Sequence, residues 1–182
     1  HQRIRKGDVE AIFARDDVVI VESDYYTPYQ EHAYLQPEAG IGFIDDEGRV
    51  AVHSAGQWSH DDQHQIAHML DLPLEQVRVI YAPAGGAFGG REDMSVQHLL
   101  ALAAYCLDRR GIRRPVKVVW DRKESFRGHH KRHPYYMHFR SAATREGRLL
   151  AVEANLIADI GAYSSSSSAV LNNAVSVATG PY

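Results

Sequence analysis

The chain has 182 residues, 45% of them apolar, and a formal net charge of −3. That length suits one domain with its own core, or a large piece of one, and the near balance of charge excludes a dedicated nucleic-acid or membrane surface. One cysteine, Cys106, excludes an internal disulfide and any cysteine-ligated iron–sulfur or zinc centre built from this chain alone.

Residues 1–17 carry no hydrophobic periodicity and read as an irregular lead-in. Val18 to Tyr26 is β-branched and aromatic, a strand signal that stops at Thr27-Pro28, and Gln30 to Gln36 resumes an extended pattern. Ile41–Ile44 and Val50–His53 flank Asp45-Asp46-Glu47-Gly48-Arg49, a hairpin with glycine in its turn. Gln57 follows just past that strand end, where a side chain can reach a cleft. A helix capped by Ser59 or Asp61 should follow, with Ile66, Met69 and Leu70 inward. His60, His64 and His68 fall four apart on it; with no carboxylate to complete a metal site, they read as a solvated face.

Val77–Tyr81 predicts the next strand and Asp93–Arg110 the next helix, with Asp93 as N-cap. Val96, Leu99, Leu100, Ala103, Cys106 and Leu107 give that helix its inward face, so Cys106 is expected to be buried and inert. Pro115–Trp120 predicts a strand; Gly128 to Pro134 reads as a loop in which His129, His130 and His133 are hydrogen-bonded. Tyr135–Ala143 and Leu149–Ile157 form a second hairpin around Thr144–Arg148, with Asp159–Tyr163 extending its last strand. The serines 164–168, followed at once by Ala169-Val170-Leu171, read as a loop into a short helix. This order of elements predicts an α+β two-layer sandwich, a mixed sheet with helices on one face.

Between the strand at Val77 and the helix after Asp93 lies Ala84-Gly85-Gly86-Ala87-Phe88-Gly89-Gly90-Arg91-Glu92. Four glycines in six positions let a ligand approach the backbone, and amides at such a corner, helped by the next helix's positive end, can receive an anion or oxo group. The P-loop reading fails because Arg91 and Glu92 replace its lysine and hydroxyl, and no three glycines have the dinucleotide-binding spacing.

This turn resembles the Gly-Gly-Gly-Phe-Gly-Gly-Lys-Glu run of the molybdenum hydroxylases, the xanthine dehydrogenase and aldehyde oxidase family. Gln30-Glu31-His32-Ala33-Tyr34-Leu35-Gln36 is similar to that family's Gln-Glu-His-x-Tyr-Leu-Glu segment, Trp120-Asp121-Arg122-Lys123-Glu124 to its Leu-Asp-Arg-Asp-Glu, and Arg132-His133-Pro134 to its Arg-His-Pro. The resemblance runs from about Tyr25 onward. It implies that residues 1–182 are the first part of a molybdenum cofactor-binding domain. Gly86, Phe88 and Gly89 would then approach a molybdenum–molybdopterin, in the plain or cytosine dinucleotide form. Gln57 would bond a ligand of the metal; Gln57 and Phe88 would lie near molybdenum without direct side-chain coordination. Glu92 would orient a purine or related N-heterocycle. The Glu31-His32 pair carries no catalytic role in the resemblance.

The family's Arg-Gly-Phe-Gly segment and its late catalytic glutamate have no counterpart among residues 1–182, so no complete catalytic set is expected here and the piece alone should be inactive. The implied reaction is hydroxylation of a C–H with oxygen from water. [2Fe–2S] centres and FAD are expected on other domains or subunits, the rest of the molybdenum domain is the expected partner, and the expected compartment is the cytoplasm. The rival readings are an aldehyde-oxidising or other molybdenum hydroxylase, a non-catalytic cofactor-binding or assembly module, and a nucleotide-binding module.

Overall fold

A computed structural model describes residues 1–178 and Gly180. The chain divides into two compact units, Glu31–Arg132 and the residues on either side of it, His1–Gln30 with those from His133 onward.

The central unit is a four-stranded mixed sheet in the order β4-β3-β2-β5. Strand β2 (Ala39–Ile44) and strand β3 (Val50–Ser54) form the first expected hairpin. Strand β4 (Val77–Tyr81) lies parallel to β3, and β5 (Val116–Val119) antiparallel to β2. Helix α2 (Ser59–Leu70) and helix α3 (Gln97–Asp108) cover one face, as the sequence predicts. Val50, Val52, Ile66, Leu70, Val77 and Leu100 form the core between them. On β2 the same face is glycine: a Cβ at Gly42 would lie 2.3 Å from the Leu100 carbonyl oxygen, so glycine is what lets α3 rest directly on the strand.

The outer unit is an antiparallel sheet in the order β1-β6-β7, built from β1 (Val19–Thr27), β6 (Tyr135–Ala143) and β7 (Leu149–Ala158). The second hairpin is therefore present, and β1 joins it along its whole length, from Val19 opposite Ala143 to Thr27 opposite Tyr135. Helix α5 (Ser167–Val177) begins inside the serine run, with Ser167 buried.

Several expectations need correction. The α+β class and the mixed sheet with helices on one face hold in the central unit, but β1, β6 and β7 form a second, separate sheet. The lead-in contains helix α1 (Val9–Phe13), capped by the Asp8 carboxylate and anchored by buried Phe13 against Ala142 and Ala151. Asp93 does not cap α3, which begins four residues later because the Gln97 carboxamide accepts the Ser95 and Val96 amides. The buried face of α3 is Gln97, Leu100, Ala101 and Ala104, which leaves Cys106 exposed; Met69 of α2 is exposed too. Asp159–Tyr163 leaves the strand in a turn at Gly161 (φ +65°). Residues 122–128 form a further helix, α4 (Arg122–Gly128). No helix among the described residues is long and apolar enough to cross a membrane.

Candidate cofactor site

Strands β3 and β4 are parallel neighbours, with Ser54 opposite Tyr81, and the Ala82 amide donates to the Ser54 carbonyl at 2.8 Å. The segment carrying Gln57 and the segment carrying the glycines therefore leave the sheet side by side at the carboxyl ends of two parallel strands, where α/β sheets take their ligands. Beneath this edge the buried Asp62 carboxylate of α2 accepts from the Tyr81 hydroxyl and from Gln97 Nε2 (3.2 Å). The network ties the end of β4 to the start of α3, so both ends of the glycine segment are fixed. Burial pushes the Asp62 carboxyl above its ordinary value despite those two donors. A Cβ at Gly56 would fall 2.3 Å from the Tyr81 ring, which is how glycine beside Gln57 lets that ring through.

The turn rests on a strap formed by residues 31–38. Leu35 N–H donates to the Gly85 carbonyl (3.1 Å), and Gly85 N–H to Gln36 Oε1 (2.9 Å). Cβ atoms at Gly85 and Gly90 would sit 2.6 Å and 2.8 Å from the Gln36 and Tyr34 side chains, too close for any other residue. Gly90 N–H closes the turn on the Ala87 carbonyl at 2.8 Å. Gly86 and Gly89 have φ of +105° and +84°, and Phe88, which is not glycine, has +54° and is 77% exposed. A phenylalanine held there is strained, and such strain concentrates at ligand sites. Among the described residues, the amides of Gly86, Ala87, Phe88 and Gly89 donate to no group of the chain, and the side chains of Gln57 and Glu92 have no hydrogen-bond partner.

The strap is itself braced. Tyr34 is buried; its hydroxyl donates to the buried Glu38 carboxylate and its ring stacks on His129 at 5.4 Å. Burial and the Glu38 carboxylate raise the tyrosine pKa. Arg122 of α4 donates to the Tyr34 and Leu35 carbonyls at 2.7 and 2.8 Å. Asp121 and Glu124 cap that helix reciprocally, so the Trp120–Glu124 segment is a structural clamp.

His129 Nε2 lies 2.7 Å from Glu31 Oε1, and Lys131 Nζ 3.0 Å from Glu31 Oε2. Burial pulls Glu31 upward, but the Ala33 amide, Lys131 and His129 together hold it below its ordinary value. Burial, then the Lys131 charge, lowers His129; burial and the neighbouring His130 and His129 lower His32. Glu31, His32 and His129 bring one ligand atom each within 4.8 Å of one another. The Lys131 ammonium already stands against that carboxylate, so the cluster is a hydrogen-bonded support. His130 bonds the Gly89 carbonyl (3.3 Å) and His133 the Ser167 hydroxyl (2.7 Å), in keeping with hydrogen-bonded loop histidines. His60, His64 and His68 are exposed, as expected of a solvated face.

The next helix is not part of the site. It starts at Gln97, so Glu92 lies outside its first turn and is not placed to serve its dipole. Among the described residues, the amides that stand free at this corner are the turn's own, not those of the helix.

Residues 1–182 match, in their entirety, the molybdopterin cofactor-binding domain family. The chain belongs to that family. This domain is 41% identical over 181 residues to the nicotinate dehydrogenase large molybdopterin subunit of Eubacterium barkeri, matching 100% of this chain and 41% of that protein. It is 38% identical over 176 residues to a probable xanthine dehydrogenase subunit of Bacillus subtilis, covering 97% of this chain and 23% of the relative. The solved aldehyde oxidoreductase of Desulfovibrio gigas superimposes with a TM-score of 0.80 at 31% identity, over 88% of this chain and 17% of that one. The domain thus spans less than half the length of these relatives.

Proposed function

We propose that this domain supplies the glycine-turn wall of a molybdenum–molybdopterin site in a hydroxylase acting on a purine or related N-heterocycle. The observation that carries the reading is the row of unpartnered amides at Gly86–Gly89, at the strand edge that also presents Gln57. A group with oxo and sulfur acceptors fits such a turn, since glycine removes the Cβ atoms and the amides lack partners among the described residues. Gly86, Phe88 and Gly89 would hold the cofactor, and the Gln57 amide would donate to an acceptor on it. The chemistry such a cofactor supplies when bound is two-electron hydroxylation of a C–H with oxygen from water. The protein's share is to bind, orient and wall off the substrate. A general base, iron–sulfur centres and a flavin would come from other parts of the enzyme.

Glu92 is half-buried, lies outside the helix that follows, and has no partner among the described residues, which suits it to a ring N–H or ring nitrogen. The names of two relatives, nicotinate and xanthine dehydrogenase, support an N-heterocycle. An aldehyde substrate is the second reading, favoured by the likeness to aldehyde oxidoreductase. Steady-state kinetics of the full-length enzyme separates them. A hydrogen bond to a charged group is worth about 1.5–3 kcal/mol, so kcat/KM should favour xanthine, hypoxanthine or nicotinate over benzaldehyde by about tenfold or more, and Glu92→Val should narrow that ratio. A ratio that favours the aldehyde in the unmodified enzyme would overturn the N-heterocycle assignment.

A further inference from the structure

Arg91 is buried, 4% exposed, with no carboxylate within ion-pair distance among the described residues. A guanidinium taken out of water without an anion costs stability unless its donors and its face are used. Here they are. Nε donates to the Gly86 carbonyl (3.0 Å), Nη2 to the Gln36 carbonyl (2.6 Å), and the guanidinium carbon lies 4.1 Å from the centre of the Tyr34 ring. One carbonyl belongs to the turn and the other to the strap beneath it.

The peptide plane turns this contact into a statement about the site. In a trans peptide the C=O and the following N–H point in opposite directions. Holding the Gly86 carbonyl toward Arg91 therefore aims the Ala87 N–H away from Arg91, and that amide has no partner among the described residues. We propose that Arg91 is the positioning residue of the glycine turn, fixing the Gly86–Ala87 peptide so that the Ala87 amide faces an acceptor on the bound cofactor. This rests on the cofactor reading given above. Lysine would keep the charge but not the planar fork that serves two carbonyls while stacking on Tyr34.

The test uses the full-length enzyme and its Arg91→Lys and Arg91→Gln variants. Hydrogen exchange, measured on cofactor-free protein, should be about tenfold faster or more at Leu35, Gly85 and Gly90 in both variants, with α3 amides unchanged within about twofold. Molybdenum content after cofactor loading should fall in both variants, less for Arg91→Lys. Unchanged exchange at those three amides with unchanged molybdenum would overturn the proposal, as would equal loss of protection across turn and α3, the mark of a purely structural residue. An unmodified enzyme that binds no molybdenum would overturn the cofactor reading, and Arg91's role with it. Molybdenum retained equally by unmodified and variant proteins would overturn only the role of Arg91.

Discussion

The two units bury their apolar residues very differently. In the central unit, glycines on β2 admit α3 closely, and Leu100, Val52 and Ile66 are fully buried, with Leu70 and Val77 nearly so. The outer unit buries Phe13, Ala142 and Ala151 as its core, while Val19, Val21, Tyr25, Tyr26, Tyr136 and Ile157 stay open on its sheet. Its strands are long and well paired, yet hydrogen bonding alone contributes little net stability. The unit that carries the proposed site is thus the one with a core able to hold a strained Phe88 and a buried, anion-free Arg91. Rigidity of support and precision of the turn go together.

The difference can be tested by removing apolar atoms from each side. Leu100→Ala leaves a cavity beneath β2 and should cost about 2–5 kcal/mol in denaturant unfolding. A loss below about 1 kcal/mol would mean that the central core is looser than its packing implies.

A smaller effect should appear with acid. Burial holds His32, His98 and His129, all in the central unit, below the ordinary imidazole value of 6.5. Their unfolded forms take up protons first as pH falls, so the stability they contribute is complete above 6.5 and is lost below it. The slope is at most about 1.4 kcal/mol per pH unit for each proton. Glu31 and Glu38 are depressed, so their contribution survives until pH drops below the ordinary carboxylate value of 4.5. Exchange protection of α3 and β3 should therefore decline between pH 7 and pH 5 before Glu31 and Glu38 matter, the raised Asp62 carboxyl offsetting part of the loss as it takes up a proton, and flat protection over that interval would contradict the assignment. The smallest effect belongs to the open sheet, where Val21→Thr should change stability by no more than about 0.5 kcal/mol.

Local structure was legible in the sequence where the signal is local. Both hairpins follow from alternating strands around Asp-Asp-Glu-Gly and Arg-Glu-Gly turns, and the helix after the serine run from the apolar residues behind it. The sheet division was not legible, since β1 pairs with β6 more than a hundred residues away and nothing local encodes that pairing. The α3 face was misread because Leu99, Leu102 and Cys106 make the helix apolar outside its buried side as well. Helix α4 could have been found: Asp121-x-x-Glu124 is a capping box in plain view. In the site, four glycines announced the turn, but its support was silent. In sequence Arg91 reads as a poor substitute for a phosphate lysine, and nothing in the positions of Asp62, Tyr81 and Gln97 signals that they join into one network.

Gly89 gives the sharpest access to the proposed reception of molybdopterin by this turn. A Cβ there would meet only His32 Nε2, at 3.8 Å, so Gly89→Val acts through the strain of a β-branched residue at a φ of +84° and not through a Cβ clash. The measurement is molybdenum per polypeptide in full-length protein, unmodified and Gly89→Val, alongside the melting temperature. The unmodified protein should hold about one molybdenum, and the folded variant should retain it at least about tenfold more weakly. Absence of molybdenum from the unmodified protein, or equal retention by the variant, would contradict that reception.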